Sequence, residues 1–290
     1  MGKIGAVLKL TRIEHSLLLV VAVVAAEMIV GGSVPPVWAL APSIITPIFI
    51  SMGAFAINDY FDIKVDRLNK KKRPLVTGEI KPMEALQITC ICMLIGVIAS
   101  LFINIYCFAI AIFFAAMSLL YSYRLKEKLF WGNGYIALSM VIPFVYGNYV
   151  VSSSISEAII VISVMIFASG LAREIHGTIR DLKGDTKVRN ARTVPKVIGV
   201  RSAALVALAL YITAIVLSVY LTLYVTLLYH DPVFVFLIVV TDALLLYVGV
   251  GYIVRPNQKF YDKTRNISLI AMGIALIALL FAPFYAPVVG

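Results

Sequence analysis

Three carboxylates occur close together in Asn58-Asp-Tyr-Phe-Asp-Ile-Lys-Val-Asp66, at the end of a long apolar run. On a helix, Asp59, Asp62 and Asp66 are spaced i, i+3 and i+7, so they share one face within about 60°. Like charges this close are costly unless a cation lies among them. Clustered hard oxygen ligands suit Mg²⁺, which binds a few carboxylates and keeps water or phosphate oxygens as its other ligands. We therefore predict that these three side chains hold Mg²⁺.

A second acidic stretch follows in the other half of the chain, in Arg173-Glu-Ile-His-Gly-Thr-Ile-Arg-Asp-Leu-Lys-Gly-Asp185. Asp181 and Asp185 are spaced i, i+4 and share a helix face if the helix continues through Gly184. The pattern Asp-x3-Asp-x6-Arg occurs in both stretches, beginning at Asp62 and at Asp181, and Lys70 matches Arg189 in the same frame. The match is either a coincidence or the trace of an internal duplication.

The composition places both stretches in a membrane protein. Of the 290 residues, 61% are hydrophobic and 14% are charged, which is far more apolar than an ordinary soluble domain. Each span needs about 20 apolar residues to cross the hydrocarbon as a helix. About nine segments qualify: 16–33, 40–58, 84–103, 105–123, 133–151, 156–174, 203–226, 233–254 and 267–286. We predict an all-α integral membrane protein, with residues 1–290 forming a single transmembrane domain.

The basic residues predict which way the chain crosses the membrane. Lys and Arg are concentrated in the N-terminal tail and in the loops after the second, fourth, sixth and eighth spans. By the positive-inside rule, the N-terminus and both acidic stretches are cytoplasmic and the C-terminus is outside. A duplication would then give pseudo-repeats over about 10–126 and 133–255, two four-helix units plus a ninth span around a central cavity open to the cytoplasm.

Other polar residues in or beside the spans have simpler interpretations. Arg12 precedes the first span, where it either belongs to a solvated helix face or contributes to an anion site. The three cysteines lie inside predicted spans. Their position and odd number indicate buried thiols rather than a disulfide or zinc site. Asp242 falls within the eighth span, where an ionisable group normally faces the bundle interior. The sequence names no partner for it.

The predicted Mg²⁺ sites are acidic, have Lys and Arg around them and lie beside the apolar interior of the membrane. Such sites fit a substrate with a diphosphate head and a hydrocarbon tail. The metal would neutralise charge on the departing diphosphate, and Lys and Arg would clamp its oxygens. Departure of an allylic diphosphate leaves a carbocation, which must be protected from water until the acceptor reacts. A cation transporter is the alternative from another class, but transport sites usually lie near the bilayer midplane rather than at one edge.

Asn58-Asp59-x2-Asp62-x3-Asp66 together with Asp181-x3-Asp185 resembles the paired signature of the UbiA superfamily of intramembrane prenyltransferases, over essentially the whole chain. The resemblance implies Mg²⁺, a polyprenyl diphosphate donor and a lipophilic acceptor, with no nucleic acid and no obligate protein partner. It implies that both aspartate sets hold the metal and carry the reaction. The predicted diphosphate-binding residues are Asn58, Arg67, Arg73, Tyr121, Tyr123, Lys126, Arg189 and Arg192. The family pattern Tyr-x3-Lys is not met before Lys126, where a tyrosine lies three and another five residues earlier, so either could serve.

Two acceptors remain open at this stage. The short loop from Asp66 to Pro74 resembles archaeal members that make ether lipids from geranylgeranyl diphosphate and geranylgeranylglyceryl phosphate. A phosphate-bearing acceptor would also give a role to the surplus cations Lys70, Lys71, Lys72, Arg189 and Arg192. Against this, Arg12-Ile-Glu-His-Ser-Leu17 resembles the start of the first span in members that prenylate aromatic rings for quinones. We expect ether-lipid synthesis, with aromatic prenylation as the alternative.

Overall fold

The computed structural model describes residues 2–188, 193–225 and 231–285. Within these ranges the regular elements are helical, with no strand. The helices are α1 (Lys3–Thr11), α2 (Ile13–Gly31), α3 (Val37–Leu68), α4 (Pro74–Thr77), α5 (Pro82–Leu101), α6 (Ile105–Tyr123), α7 (Leu129–Val151), α8 (Glu157–Val188), α9 (Val194–Ile198), α10 (Val200–Tyr224), α11 (Pro232–Val254) and α12 (Gln258–Tyr285), with a 3₁₀ turn at Leu125–Glu127.

The described part of the chain contains nine helices long and apolar enough to cross a membrane. The predicted all-α class and the number of spans are therefore confirmed. The ends differ, because α3 continues to Leu68 and the spanning part of α8 to Leu182, both past the predicted boundaries. Charged residues end the apolar run but not the backbone hydrogen bonding, so both helices carry their acidic residues as helix rather than as loop.

The chain divides into two compact units, residues 1–23 with 35–126 and residues 24–34 with 127–290. In the first unit, α3 packs on α5 and α6, and α1 packs on α3 and α4. Ala6 and Leu10 of α1, Ala56 of α3 and Leu75 of α4 are buried together in one apolar cluster. This cluster fixes the amphipathic N-terminal helix and the short α4 beside the part of α3 that precedes the carboxylates.

Helices α3 and α5 approach closely because glycine faces the partner helix at two levels. A Cβ on Gly53 would lie 2.8 Å from Met93 Cγ, and one on Gly96 would lie 2.7 Å from Ile50 Cγ1. Thr46 Oγ1 donates to the Gly96 carbonyl at 3.1 Å, a bond between the two helices. Small residues at a crossing let helices approach where lipid supplies no hydrophobic driving force. The contact holds α3, and thus its carboxylates, in a fixed rotation.

In the second unit, α8 packs between α7 and α10, and α12 packs on α11 and on α8. One buried cluster of this unit includes Ile175 of α8, Tyr211 of α10, Tyr252 of α11 and Tyr261 of α12. Ser218 Oγ on α10 donates to Asp242 Oδ2 on α11 at 2.6 Å. This hydrogen bond supplies the partner for Asp242 that the sequence could not name.

Candidate active site

The three carboxylates of α3 are buried in the first unit. Asp59, Asp62 and Asp66 are 2%, 8% and 1% exposed. Buried carboxylates are stable only when they are paired or hydrogen-bonded. Each of the three has basic partners, and these come from segments far from α3 in sequence as well as from the loop that follows it.

Asp59 is paired with two arginines. Arg12 Nη2 donates to its Oδ1 at 2.8 Å, and Arg73 donates to the same oxygen. Arg12 has φ +47, in the left-handed region, where it separates α1 from α2. Its guanidinium also lies over the ring of Phe55, 4.8 Å from the centroid. Arg12 therefore pairs with the acidic cluster instead of forming a solvated helix face, and its contribution to an anion site stays a prediction.

Asp66 and Asp62 are paired with different cations. Arg73 Nη1 lies 3.0 Å from Asp66 Oδ2, and Lys71 Nζ lies 3.1 Å from Asp66 Oδ1. Lys126 donates to Asp62 Oδ2 and, at 2.8 Å, to Asn58 Oδ1. The predicted residues Arg73 and Lys126 thus contact the α3 carboxylates, and Asn58 shares Lys126 with Asp62.

The oxygen atoms of this cluster suit a hard divalent cation. Both carboxylate oxygens of Asp66 are buried without a hydrogen bond of normal geometry, and only ionic contacts compensate them. Seven residues of helix separate Asp59 from Asp66 by about 10 Å along the axis. One ion cannot be ligated by all three carboxylates at that spacing. Consistently, no three acidic, imidazole or thiol groups converge on a single point in the described residues. The carboxylates would hold Mg²⁺ as an open site, in which water or substrate supplies the remaining ligands, rather than as a closed protein cage.

Two other predicted residues of this unit, Arg67 and Tyr123, make no hydrogen bond or ion pair with the carboxylates among the described residues. Arg67 is exposed at the end of α3, and Tyr121 is half-buried near the end of α6. Tyr123 is 61% exposed, with its ring 5.8 Å from that of Phe61 and 5.2 Å from the Arg124 guanidinium. The position of Tyr123 is therefore that of an interfacial aromatic residue.

In the second unit, Asp181 lies near the end of α8. Its carboxylate accepts two hydrogen bonds from Arg180, from Nε and Nη2, both at 2.7 Å. Its side chain is 53% exposed, unlike the α3 carboxylates. The backbone of α8 continues through Asp185, as the i, i+4 prediction requires, while the Asp185 side chain and residues Arg189 and Arg192 lie outside the described residues.

A cavity of about 200 Å³ opens beside Asp181 in the same unit. We call it the α8 cavity, because most of its lining comes from α8, with the rest from α11 and α12. Its charged and imidazole lining is Arg173, Glu174, His176, Arg180, Asp181 and Arg265. The His176 ring stacks on Tyr252 with centroids 3.7 Å apart, and Tyr252 stacks on Tyr261 at 4.4 Å.

Sequence reasoning did not single out Arg173, His176 or Arg180 as a group. A usable signal was present, since they are spaced i, i+3 and i+7, the same spacing that placed the α3 carboxylates on one face. The contribution of Arg265 had no such signal, because it comes from another helix.

Comparison with known proteins decides the family. The model of the UbiA prenyltransferase family matches residues 18–270. The chain belongs to this family. It is a multi-pass membrane prenyltransferase, as the paired aspartate motifs predicted. A digeranylgeranylglyceryl phosphate synthase from Archaeoglobus fulgidus is 32% identical over 96% of this chain and 95% of its own length. The enzyme of the same name from Korarchaeum cryptofilum is 26% identical over 98% and 99%.

Solved structures of UbiA proteins share the fold. One, from work on digeranylgeranylglyceryl phosphate synthase in membranes, superposes with a TM-score of 0.82 at 26% identity, covering 98% of this chain and 99% of its own. A UbiA homologue from Archaeoglobus fulgidus bound to GPP and Mg²⁺ has a TM-score of 0.64 at 21% identity, covering 94% and 99%. The latter likeness concerns the fold.

Proposed function

We propose that this protein transfers a geranylgeranyl group from geranylgeranyl diphosphate to geranylgeranylglyceryl phosphate in a Mg²⁺-dependent reaction of ether-lipid synthesis. The observation that carries the proposal is the 32% identity with the Archaeoglobus digeranylgeranylglyceryl phosphate synthase over nearly the full length of both chains. The short loop between Asp66 and Pro74 agrees with this acceptor, and so does the number of cations that follow both acidic stretches.

The α3 cluster would bind the diphosphate of the donor. Asp59, Asp62 and Asp66 would hold Mg²⁺, without all three binding the same ion, and the metal would neutralise charge that develops on the leaving diphosphate. A UbiA homologue of known structure binds GPP together with Mg²⁺, which supports this assignment. From the sequence repeat, we assign Asp181 and Asp185 to the same diphosphate.

The cations of the cluster have two roles in this scheme. Arg12, Arg73, Lys71 and Lys126 stabilise the buried carboxylates through the contacts described above. When diphosphate binds, the same groups can donate to its oxygens, because each guanidinium carries five donors and each ammonium three. They would then stabilise the charge of the departing diphosphate more than that of the intact donor. We assign Arg67, Tyr121, Tyr123, Arg189 and Arg192 to the same anion on sequence grounds alone.

The membrane itself supplies the remaining requirement. The allylic cation left by diphosphate departure reacts with water unless water is excluded. The donor tail is a hydrocarbon, and the spanning helices around it are apolar. The acceptor hydroxyl loses its proton as the new ether bond forms, so the products are the diether phosphate, diphosphate and a proton. We further propose that the N-terminus and both acidic stretches are cytoplasmic and the C-terminus outside, and that the chain acts without an obligate protein partner.

One comparison of substrates tests the function. Purified protein reconstituted in lipid nanodiscs receives Mg²⁺ and geranylgeranyl diphosphate, with geranylgeranylglyceryl phosphate, 4-hydroxybenzoate or dihydroxynaphthoate as acceptor. We expect product with the glyceryl phosphate and loss of the reaction when Mg²⁺ is chelated. Product that forms only with an aromatic acceptor would replace ether-lipid synthesis by the quinone alternative.

The same assay tests the carboxylates. Asp62→Asn, Asp66→Asn, Asp181→Asn and Asp185→Asn should each abolish transfer and leave the protein folded, because an amide keeps the shape but binds Mg²⁺ poorly. Lys64→Gln is a matched control, since Lys64 is exposed on α3. Retention of most activity by all four variants would disprove the assignment of the two aspartate sets.

A further inference from the structure

The α8 cavity carries more positive than negative charge. Arg173 pairs with Glu174 at 3.2 Å, and Arg180 pairs with Asp181 through two hydrogen bonds. Arg265, from α12, completes the charged lining and has no ionic partner among the side chains that the structure describes. Within the lining, three guanidinium groups face two carboxylates, while Asp262, outside the lining, acts on Arg180 rather than on Arg265. Arg265 is therefore the charge available for an anion.

Two polar groups at the cavity are buried without a hydrogen bond. His176 is 4% exposed, and neither of its ring nitrogens has a partner within the described residues. Arg173 Nε is also buried without one. Buried polar atoms in native proteins are almost always paired, so those that lack a protein partner indicate a bound ligand or water. The stack on Tyr252 fixes the imidazole ring plane, so the directions of its two nitrogens are fixed as well.

We propose that the α8 cavity binds the phosphate monoester of the acceptor, with Arg265 as the main charge partner and His176 as a hydrogen-bond partner. The proposal rests on the proposed function and assigns to that reaction residues that select a phosphorylated acceptor. The hydroxyls of Thr178, Thr264 and Ser268 also line the cavity, but each donates its proton to a backbone carbonyl of its own helix, so the donors for the anion are Arg265 and His176.

The position and size of the cavity agree with this ligand. Glycerol has three carbons, so the phosphate of the acceptor is never more than a few bonds from the hydroxyl that reacts. Asp181, one of the carboxylates assigned to the donor diphosphate, lines the same cavity. A volume of about 200 Å³ holds roughly seven water molecules at about 30 Å³ each, which is enough for a phosphorylated glycerol head. The aromatic acceptors 4-hydroxybenzoate and dihydroxynaphthoate carry a carboxylate, which Arg265 could also bind, so the comparison of acceptors described above is needed to separate the two.

Steady-state kinetics separate the acceptor from the donor. Arg265→Gln should raise the KM for geranylgeranylglyceryl phosphate by about tenfold or more, the effect of one lost charge-assisted hydrogen bond. The KM for geranylgeranyl diphosphate should stay within about twofold, and Arg265→Lys should recover part of the loss. His176→Phe keeps the aromatic stack and deletes both nitrogens, so it should raise only the acceptor KM. Lys263→Gln, an exposed change on the same helix, is the control.

A binding measurement gives a readout that does not depend on turnover. Glycerol phosphate and inorganic phosphate are titrated into the full chain and followed by ³¹P NMR, with an unreactive thiolo analogue of geranylgeranyl diphosphate and Mg²⁺ present at saturation. Binding of glycerol phosphate should weaken about tenfold or more in Arg265→Gln and remain unchanged in Lys263→Gln. Nanodiscs of neutral and of anionic lipid should give the same result, since the ligand is a monoester rather than a lipid head group.

The outcomes distinguish this proposal from the proposed function. If the protein prenylates no glyceryl phosphate but binds glycerol phosphate through Arg265, the cavity assignment stands and the proposed function fails. If transfer occurs and Arg265→Gln behaves as Lys263→Gln does in both experiments, the cavity assignment is wrong. A rise in the donor KM alone would also overturn it, because the cavity would then belong to the donor. Competition only by anionic lipid would overturn it as well, because the site would be one for membrane phospholipid.

Discussion

Arg73 offers the most direct test of the α3 cluster, because one guanidinium joins two buried carboxylates. Its Nη1 contacts Asp59 and lies 3.0 Å from Asp66 Oδ2. Removing one partner of a fully buried ion pair costs about 3–5 kcal/mol. The cost here is smaller, because the Arg73 side chain is 22% exposed and each aspartate keeps a second cation, Arg12 or Lys71. We therefore expect Arg73→Gln to lower the free energy of unfolding by about 1–3 kcal/mol.

The assay is thermal unfolding in detergent, followed by intrinsic tryptophan fluorescence, with Lys64→Gln as the control. A loss of about 1–3 kcal/mol corresponds to a melting temperature lower by about 2–10 °C. The double variant with Asp66→Asn and Arg73→Gln should lose about 1 kcal/mol less stability than the sum of the two single losses, because the two residues contact each other. Addition of Mg²⁺ without diphosphate should narrow the difference in melting temperature between Arg73→Gln and the wild type, because the ion supplies the positive charge that the substitution removes.

The reasoning would be refuted by a specific result. If Arg73→Gln and Lys64→Gln unfold at the same temperature, and the double variant with Asp66→Asn is additive, then Arg73 does not stabilise these carboxylates. Its position after α3 would then be explained by loop geometry alone.

Three further variants test other parts of the structure. Gly96→Leu should destabilise the α3–α5 contact by about 1–3 kcal/mol through overpacking. Gly273→Leu is the control and should have no such effect, because its Cβ would meet no atom within 4 Å. Equal melting temperatures of the two variants would contradict the close approach of α3 and α5. Lys126→Met removes the cation that contacts Asp62 and should raise the donor KM by about tenfold to a hundredfold, so an unchanged donor KM would exclude it from the diphosphate site. Ser218→Ala should lower the melting temperature, because Asp242 loses its hydroxyl donor. Adding Asp242→Asn to this variant should recover part of the loss in melting temperature. No recovery would mean that Ser218 acts by packing.

The acidic face of α3 could be predicted from sequence because helical spacing alone determines it. Asp59, Asp62 and Asp66 follow a long apolar run with no helix breaker between them, so both the secondary structure and the shared face followed from the pattern. The number of spans was equally accessible, since length and hydrophobicity decide it. What failed was the position of the helix ends, because apolarity marks where the bilayer ends and not where backbone hydrogen bonding stops.

The partners of those carboxylates could not be predicted in the same way. Arg12 reaches Asp59 across 47 residues of sequence, and Lys126 reaches Asn58 across 68. Such contacts depend on tertiary packing, which one sequence does not reveal. The family resemblance supplied Lys126, and the repeat supplied Arg73. Arg12 had no comparable support and stayed one of two interpretations.

The short helices that follow the two long acidic helices strengthen the case for an internal duplication. In the first unit, α4 begins at Pro74, directly after Arg73, and ends before Gly78, which has φ +80. In the second unit, α9 has a proline in its first turn and ends before Gly199, which has φ +84. Both long helices, α3 and α8, contain 32 residues. None of these features entered the spacing match between the two stretches, so they are independent support for it. Coincidence would have to produce the same order of carboxylates, cation, short helix with proline in its first turn and positive-φ glycine twice. This order supports our proposal that the two stretches arose by duplication and that both aspartate sets serve one diphosphate.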